Sequence, residues 1–147
     1  MIRAVSVVPV ADAEAIDHVV LAYDARHRRR VAMVSDGGTE FLLDLPETRL
    51  LQHGEGLVLD DGRVIEVRAA PEPLYEVRAR DARHLTELAW HLGNRHLPTQ
   101  VEADRLLIGR DHVIKAMLEG LGATVTNVEE PFTPARGAYH AHSHSHG

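Results

Sequence analysis

The spacing of apolar residues changes near residue 72, and this change limits the possible folds more than any other feature of the chain. Before it, short runs of β-branched and aliphatic residues alternate with turn residues, which is typical of strands. The clearest example is the segment 57–67, where two apolar runs flank Asp61-Gly62 as in a two-residue β-hairpin. Further strands are predicted at residues 5–8, 18–23, 30–34 and 39–43. No long amphipathic helix is expected before residue 80, so residues 1–72 are predicted to form a small all-β domain.

Helical spacing begins only after a proline-containing segment, residues 69–73, that is interpreted as a linker. A strand is predicted at residues 74–80. Asp81 is expected to cap a helix and Gly93 to end it, because apolar residues between them recur at helical intervals. These apolar residues are Leu85, Leu88, Ala89 and Leu92.

Two short strands, residues 99–103 and 105–108, are expected before a second helix that Asp111 caps and a last strand at residues 123–128. The order β-α-β-β-α-β predicts a ferredoxin-like sandwich over residues 73–134, with both helices on one face of a four-stranded sheet. The chain as a whole is therefore predicted to be α+β. The apolar stripe of the second helix is Val113, Ile114, Met117, Leu118 and Leu121, and Gly120 and Gly122 are expected to end it.

Histidine is unusually frequent, with 11 residues, and cysteine is absent, so a metal site would use imidazole, carboxylate, backbone or water ligands. Four histidines alternate with small residues in the tail, residues 135–147, which is expected to be flexible. An extended chain would place all four on one side, and His-rich tracts of this kind bind metals. A purification tag and a merely solvated tail are the alternatives. The four are His140, His142, His144 and His146.

His112 is the other candidate ligand, because it lies in the first turn of the second predicted helix, out of line with the apolar stripe. One imidazole makes only a weak site, but a two-fold dimer would place a second copy opposite the first. The remaining histidines are expected to be structural or at the surface. His84, His91 and His96 are assigned to surface or interhelical positions, and His18, His27 and His53 to the β domain without acidic partners at ligand spacing.

The overall charge excludes some functions. With 16 basic and 22 acidic residues the formal net charge is −6, which argues against a nucleic-acid partner. No apolar run reaches the roughly 20 residues of a membrane-spanning helix. The absence of an export signal and of cysteine favours the cytoplasm. A basic run at residues 26–30 is interpreted as a solvated hairpin end or a docking surface for an acidic partner protein.

Five short stretches, in this order and ahead of a His-rich tail, resemble the UreE family of urease accessory proteins over nearly the whole chain. The stretches are residues 92–100 (LGNRHLPTQ), 111–113 (DHV), 120–123 (GLGA), 131–134 (PFTP) and 137–140 (GAYH).

This resemblance implies a non-catalytic nickel metallochaperone for urease maturation. It implies an N-terminal β domain related to a peptide-binding domain of heat-shock chaperones, and a ferredoxin-like domain that forms a homodimer. It places the central metal-binding histidine at His112, with a nickel ion between the two copies and the tail histidines completing the site. Zinc or copper could also bind in vitro, since imidazole sites suit all three ions. The implied partners are the urease accessory GTPase UreG and the urease pre-activation complex.

Two other functions remain open from the residues alone. The first is a peptide- or protein-binding chaperone module whose His tail is incidental, which the β half and the basic run favour. The second is a metal-dependent hydrolase, which has little support because no H-E-x-x-H motif is present and the tail offers no carboxylate base.

Overall fold

In the computed structural model, which describes residues 1–9 and 14–135, the apolar runs of the first half form one six-stranded sheet. Its elements are β1 (Arg3–Val8), β2 (Asp17–Leu21), the single-turn helix α1 (Tyr23–Arg26), β3 (His27–Val34), β4 (Glu40–Leu50), β5 (Gly56–Leu59) and β6 (Val64–Ala69). The strands lie in the order β2-β6-β5-β1-β4-β3, so that β2 and β3 are the two edges. Every strand predicted in this half is present, with most boundaries shifted by up to three residues, but β4 continues seven residues beyond the predicted end at residue 43.

The β5–β6 hairpin is present as predicted, but its turn is not the predicted two-residue one. The backbone N–H of Leu59 donates to the Arg63 carbonyl at 2.8 Å, so the loop has three residues, 60–62. Asp61 does not have the positive φ that a type I′ turn requires.

Leu57 lies opposite Ile65, and Gly62 has a φ of +88°, a conformation that the tight turn requires and that glycine adopts at low cost. Leu57 and Ile65 are both fully buried, together with Phe41 and Leu43 of β4. The first half thus has its own apolar core.

The basic run begins in a buried position, which the sequence did not predict. Arg26 closes α1 and is completely buried, with its guanidinium donating to the Leu51 carbonyl at 3.3 Å and lying 5.9 Å from the ring centroid of Tyr23. Arg28, Arg29 and Arg30 are exposed on the edge strand β3. The expectation of a solvated hairpin end is therefore only partly right, because Arg26 lies in the core while Arg28–Arg30 are solvated but lie along a strand.

The second half forms a four-stranded antiparallel sheet with two helices. Its elements are β7 (Pro71–Arg78), α2 (Ala82–Asn94), β8 (Thr99–Val101), β9 (Leu106–Gly109), α3 (His112–Gly120) and β10 (Thr124–Pro131). The predicted β-α-β-β-α-β order is present, and the strands are arranged β10-β7-β9-β8. The chain thus forms two compact units, Met1–Ala70 and Pro71–Gly147.

The boundary between the two units falls inside the predicted linker, residues 69–73, but the linker is far shorter than predicted. Pro71 and Pro73 lie within β7, where they are opposite Pro131 and Glu129 of β10, so only Ala70 separates the last strand of the first unit from this one. Prolines are tolerated here because β9 pairs with β7 only from Leu74 onward, which leaves one side of this stretch without a strand partner.

Both helices bury one face against the sheet, but their ends and stripes differ from the prediction. Leu88 and Leu92 of α2 and Leu118 of α3 pack with strand residues in a single core. Gly93 does not end α2, which continues to Asn94. Val113 was expected in the apolar stripe of α3, yet it is 61% exposed.

The tail histidines lie outside the described residues. None of the helices within residues 1–9 and 14–135 combines the length and apolar character needed to cross a membrane.

Candidate metal centre

The side chain of Asp111 sets the start of α3, as the sequence predicted. Its Oδ1 atom accepts hydrogen bonds from the backbone N–H groups of Val113 at 2.9 Å and Ile114 at 3.2 Å. His112 is the first residue of the helix and is exposed. The candidate ligand therefore faces solvent, as expected from its place outside the apolar stripe, while the neighbouring carboxylate is engaged in capping.

Arg110 fixes the junction between β9 and α3 to the sheet. Its guanidinium donates to the carbonyl oxygens of Leu74 at 3.1 Å and Val128 at 3.0 Å, which lie opposite each other on β7 and β10. It also approaches Glu129 at 3.4 Å. These contacts hold the backbone two residues before His112, so the candidate ligand extends from a well-anchored turn.

The last described residues return to the same end of the sheet. The backbone N–H of Ala135 donates to the carbonyl of Thr99 at 2.8 Å, and Thr99 lies opposite Ile108, near the end of β9. His112 follows the end of β9 by three residues. The chain segment that carries His140, His142, His144 and His146 therefore starts at the sheet end from which α3 begins.

His96 also lies at this end, in the loop between α2 and β8. Its side chain is exposed, and its φ of +58° is the only positive value at a non-glycine position among the described residues. Such conformations are uncommon and often occur at functional positions. Position in the sequence predicts only a surface or packing role for His96, and the signal that could single it out is the Gly-Asn-Arg-His stretch in which it occurs.

His84 is structural, and the expectation of interhelical packing is confirmed. Its ring is almost completely buried. The Nε2 atom lies 2.8 Å from the carbonyl oxygen of Leu121, and Nδ1 accepts the backbone N–H of Arg80 at 3.1 Å. Both ring nitrogens therefore have partners, so this imidazole has no lone pair available for an ion.

The histidines of the first unit also have local roles. His53 accepts the backbone N–H of Ala69 through Nδ1 at 3.0 Å. His18 does have acidic neighbours, contrary to expectation, with Asp36 3.7 Å from Nε2 and Asp17 4.0 Å from Nδ1. These two carboxylates lie against opposite nitrogens of the ring and so do not converge on one point.

Asp17 is also occupied by other donors. Its carboxylate accepts the Ser35 hydroxyl at 2.5 Å and the Gly37 N–H at 2.9 Å, and the Ser35 bond is the main cause of its lowered pKa. His91, on α2, packs edge-to-face against Trp90 with ring centroids 5.1 Å apart.

Within residues 1–9 and 14–135, no three histidine, aspartate or glutamate side chains lie close enough together to hold a metal ion. A strong site built on His112 would therefore require ligands from elsewhere. The tail of the same chain and a second copy of the chain are the two sources that the sequence provides.

Comparison with known proteins gives similarity over the whole chain. A family model for the N-terminal domain of the UreE urease accessory protein matches residues 1–70, and one for its C-terminal domain matches residues 72–147. The urease accessory protein UreE of Chelativorans sp. (strain BNC1) is 66% identical over 144 residues, covering 98% of this chain and 90% of the relative. The urease accessory protein UreE of Brucella anthropi is 57% identical over 149 residues, covering 99% of this chain and 87% of the relative.

Proposed function

This chain belongs to the UreE family of urease accessory proteins, and on that premise we propose that it is a nickel metallochaperone that delivers the ion for assembly of the urease active site. Nickel is the cargo of such a protein and not a resident cofactor. The observation that carries the proposal is the exposed His112, anchored at the sheet end where the His-rich tail begins.

We propose that the ion lies between two copies of the chain. A two-fold axis beside the start of α3 would bring two His112 rings together. Val113, next in the chain, supports this arrangement because it is a 61% exposed apolar side chain that a second copy would cover. A homodimer would thus explain both the lone imidazole and the valine that the monomer leaves in solvent.

Tail histidines supply further ligands in this proposal. Ligands that come from separate chain segments can leave the ion one at a time, which suits a protein that must pass its ion to an acceptor. Affinity alone would favour copper over nickel at an imidazole site. Selectivity therefore comes from delivery, through the GTPase UreG and the urease pre-activation complex as acceptors in the cytoplasm.

The proposed role requires no catalytic turnover. A metal-dependent hydrolase needs a carboxylate base beside the ion. The carboxylate nearest in sequence to His112 is Asp111, which is engaged with two backbone N–H groups of α3. The family name likewise describes a protein that assists an enzyme.

Isothermal titration of the purified protein with Ni²⁺ tests the assignment. His112→Ala, deletion of residues 140–147, and the two changes combined are compared with the full chain. The combined variant is expected to bind Ni²⁺ at least about tenfold more weakly, which corresponds to about 1.4 kcal/mol of binding free energy. His91→Ala is the matched control and is expected to bind as the unchanged protein does.

His96→Ala completes the experiment, because His96 is exposed at the same sheet end. If this change abolishes high-affinity binding while the combined His112 and tail variant binds normally, the site assignment is wrong and His96 is the anchor. Sedimentation velocity on the same samples tests the dimer, and a monomer under nickel-loaded conditions would contradict it.

A further inference from the structure

A row of side chains on the sheet of the second unit faces away from both helices. Leu107 of β9 lies opposite Glu76 of β7 on one side and Gln100 of β8 on the other, so the three form one row across the sheet. Leu106 and Ile108, which flank Leu107 in β9, belong to the core that packs against the helices. Because side chains alternate along a strand, the row lies on the opposite face.

The chain beyond β10 crosses this face from one end of the row to the other. At the first end, the guanidinium of Arg105 donates to the carboxylates of Glu130 at 2.7 Å and Glu76 at 2.9 Å. At the other end, the Oε1 atom of Gln100 accepts the backbone N–H of Thr133 at 2.8 Å. The backbone between Glu130 and Thr133 therefore passes over the face that the helices leave open.

This crossing segment, residues 130–135, is a strap that connects the two edge strands of the sheet. Phe132 and Pro134 are buried within it. The backbone N–H of Ala135 donates to the carbonyl of Thr99 at 2.8 Å. Thr99 belongs to β8, which lies at the edge of the sheet opposite β10. The chain therefore leaves the second unit from β8 and not from the strand that precedes the strap.

One network of hydrogen bonds holds both ends of the strap. The Nε atom of Arg105 donates to Glu102 at 3.0 Å, and Glu102 also accepts the Nε2 group of Gln100 at 2.9 Å. The guanidinium that binds Glu130 is thus connected to the amide that binds Thr133. The Gln100 side chain uses its oxygen for the strap and its nitrogen for Glu102, which requires both an acceptor and a donor at this position.

We propose that Gln100 is a positioning residue that clamps the strap to β8 and thereby sets the point from which the His-rich tail starts. This inference rests on the proposed function, because it concerns the delivery of tail histidines to the nickel ion. With the clamp closed, the tail starts at Ala135, five residues before His140. With the clamp open, it starts at Pro131, the last residue of β10 and nine residues before His140.

The difference in tether length gives the size of the effect. The effective concentration of a tethered ligand falls roughly as the −3/2 power of the tether length. Opening of the clamp therefore lowers the effective concentration of the nearest tail histidine at the ion about two- to threefold. The effect acts only through the tail, because Gln100 itself contributes no ligand.

Nickel titrations of four proteins measure the contribution of the tail. They are the native chain and Gln100→Leu, each with and without residues 140–147. The contribution is the ratio of the Kd without these residues to the Kd with them, and it is expected to be about two- to threefold smaller in Gln100→Leu. The two tail-deleted proteins are expected to bind equally. Gln52→Leu, the same change at the other glutamine of the chain, is the control and should retain the full contribution.

Amide hydrogen exchange without nickel measures the clamp directly. The N–H of Ala135 is expected to exchange at least about tenfold faster in Gln100→Leu, because the strap opens locally. The N–H of Tyr75, in the central strand β7, should keep its rate and serves as the reference. Thr133→Pro removes the donor on the strap side of the same bond and should reproduce both effects, so it provides a second test if Gln100→Leu folds poorly.

The two measurements separate the possible failures. Unchanged exchange at Ala135 in both variants would overturn the proposal, and so would fast exchange with an undiminished contribution of the tail. An equal loss of affinity in the tail-deleted Gln100→Leu protein would also overturn it, since Gln100 would then act on the site without the tail. A native chain whose nickel affinity does not depend on the tail refutes the proposed function and the positioning role with it, and the exchange of Ala135 distinguishes this result from failure of the clamp.

Discussion

Replacement of His84 should separate a structural histidine from a ligand. Its ring is buried, and it joins the start of α2 to the end of α3 through Arg80 and Leu121. In His84→Ala the carbonyl of Leu121 and the N–H of Arg80 both lose their side-chain partner. No other histidine among the described residues has both ring nitrogens in hydrogen bonds of 3.1 Å or less.

The size of the effect follows from these contacts. Each buried polar group that loses its partner costs about 1–3 kcal/mol. The lower end applies here, because Leu121 is 37% exposed and water can reach its carbonyl. Removal of the ring adds about 1–2 kcal/mol for the space left behind. The total is about 3 kcal/mol, which corresponds to a fall of more than about 10 °C in Tm for a unit of this size.

Urea unfolding followed by tryptophan fluorescence measures this loss in the right place, since Trp90 is the only tryptophan and belongs to the second unit. The free energy of unfolding of His84→Ala should be about 3 kcal/mol lower than that of the unchanged protein. The variant should still bind nickel with the same stoichiometry. His112→Ala is the control with the opposite behaviour, because its exposed ring contributes little to folding. A His84→Ala protein of unchanged stability would refute the reasoning.

Three further predictions concern charge, backbone space and acid. Arg105 donates to Glu130 at 2.7 Å and lowers the pKa of that carboxyl. The bond therefore stabilises the fold above about pH 4.5, and this stabilisation is lost as the pH falls through the lowered pKa. The difference in unfolding free energy between the native protein and Arg105→Met, measured by urea unfolding, should become smaller below that pH, and a constant difference would contradict the prediction. In Gly37→Ala the new Cβ would lie 2.5 Å from the Asp17 carboxylate. The thermal midpoint of this variant should fall by an amount equivalent to about 1–2 kcal/mol of stability. Gly93→Ala is the control, and its thermal midpoint should not fall because the space around Gly93 is open. Nickel affinity should decrease as the pH drops through about 6.5, because imidazole must be neutral to bind, and calorimetry at pH 5.5 and 7.5 showing equal affinity would exclude histidine ligation.

Local signals in the sequence were sufficient for most elements of the fold. Asp61-Gly62 between two apolar runs predicts a hairpin because a turn depends on only a few neighbouring residues, and the structure confirms the hairpin, although its turn has three residues and not two. Asp81 and Asp111 were likewise identified as helix caps, since a cap depends only on the next three residues.

The errors arose where the outcome depends on distant residues. Arg26 is buried because the Leu51 carbonyl, 25 positions away, accepts its guanidinium. Pro71 begins a strand because β10, 60 positions away, pairs with it. Val113 has the spacing of a core residue but lies in solvent, since periodicity identifies an apolar position without identifying which surface covers it.

The candidate centre was only partly accessible to sequence reasoning. His112 is a candidate ligand because of its place at the start of the helix, outside the apolar stripe, and the structure shows that it is exposed. The return of Ala135 to Thr99, which brings the start of the tail to the same sheet end, is a long-range backbone hydrogen bond that no local pattern encodes. The positive φ of His96 is equally invisible in the sequence.

The most direct test of the nickel proposal is an anomalous difference map at the nickel absorption edge, from crystals grown with one Ni²⁺ per two chains. The account predicts a single peak on a two-fold axis, with a nitrogen of each His112 ring about 2.1 Å from it, borrowing the imidazole–zinc distance. A peak ligated by other residues, with both His112 rings distant from it, would contradict the account.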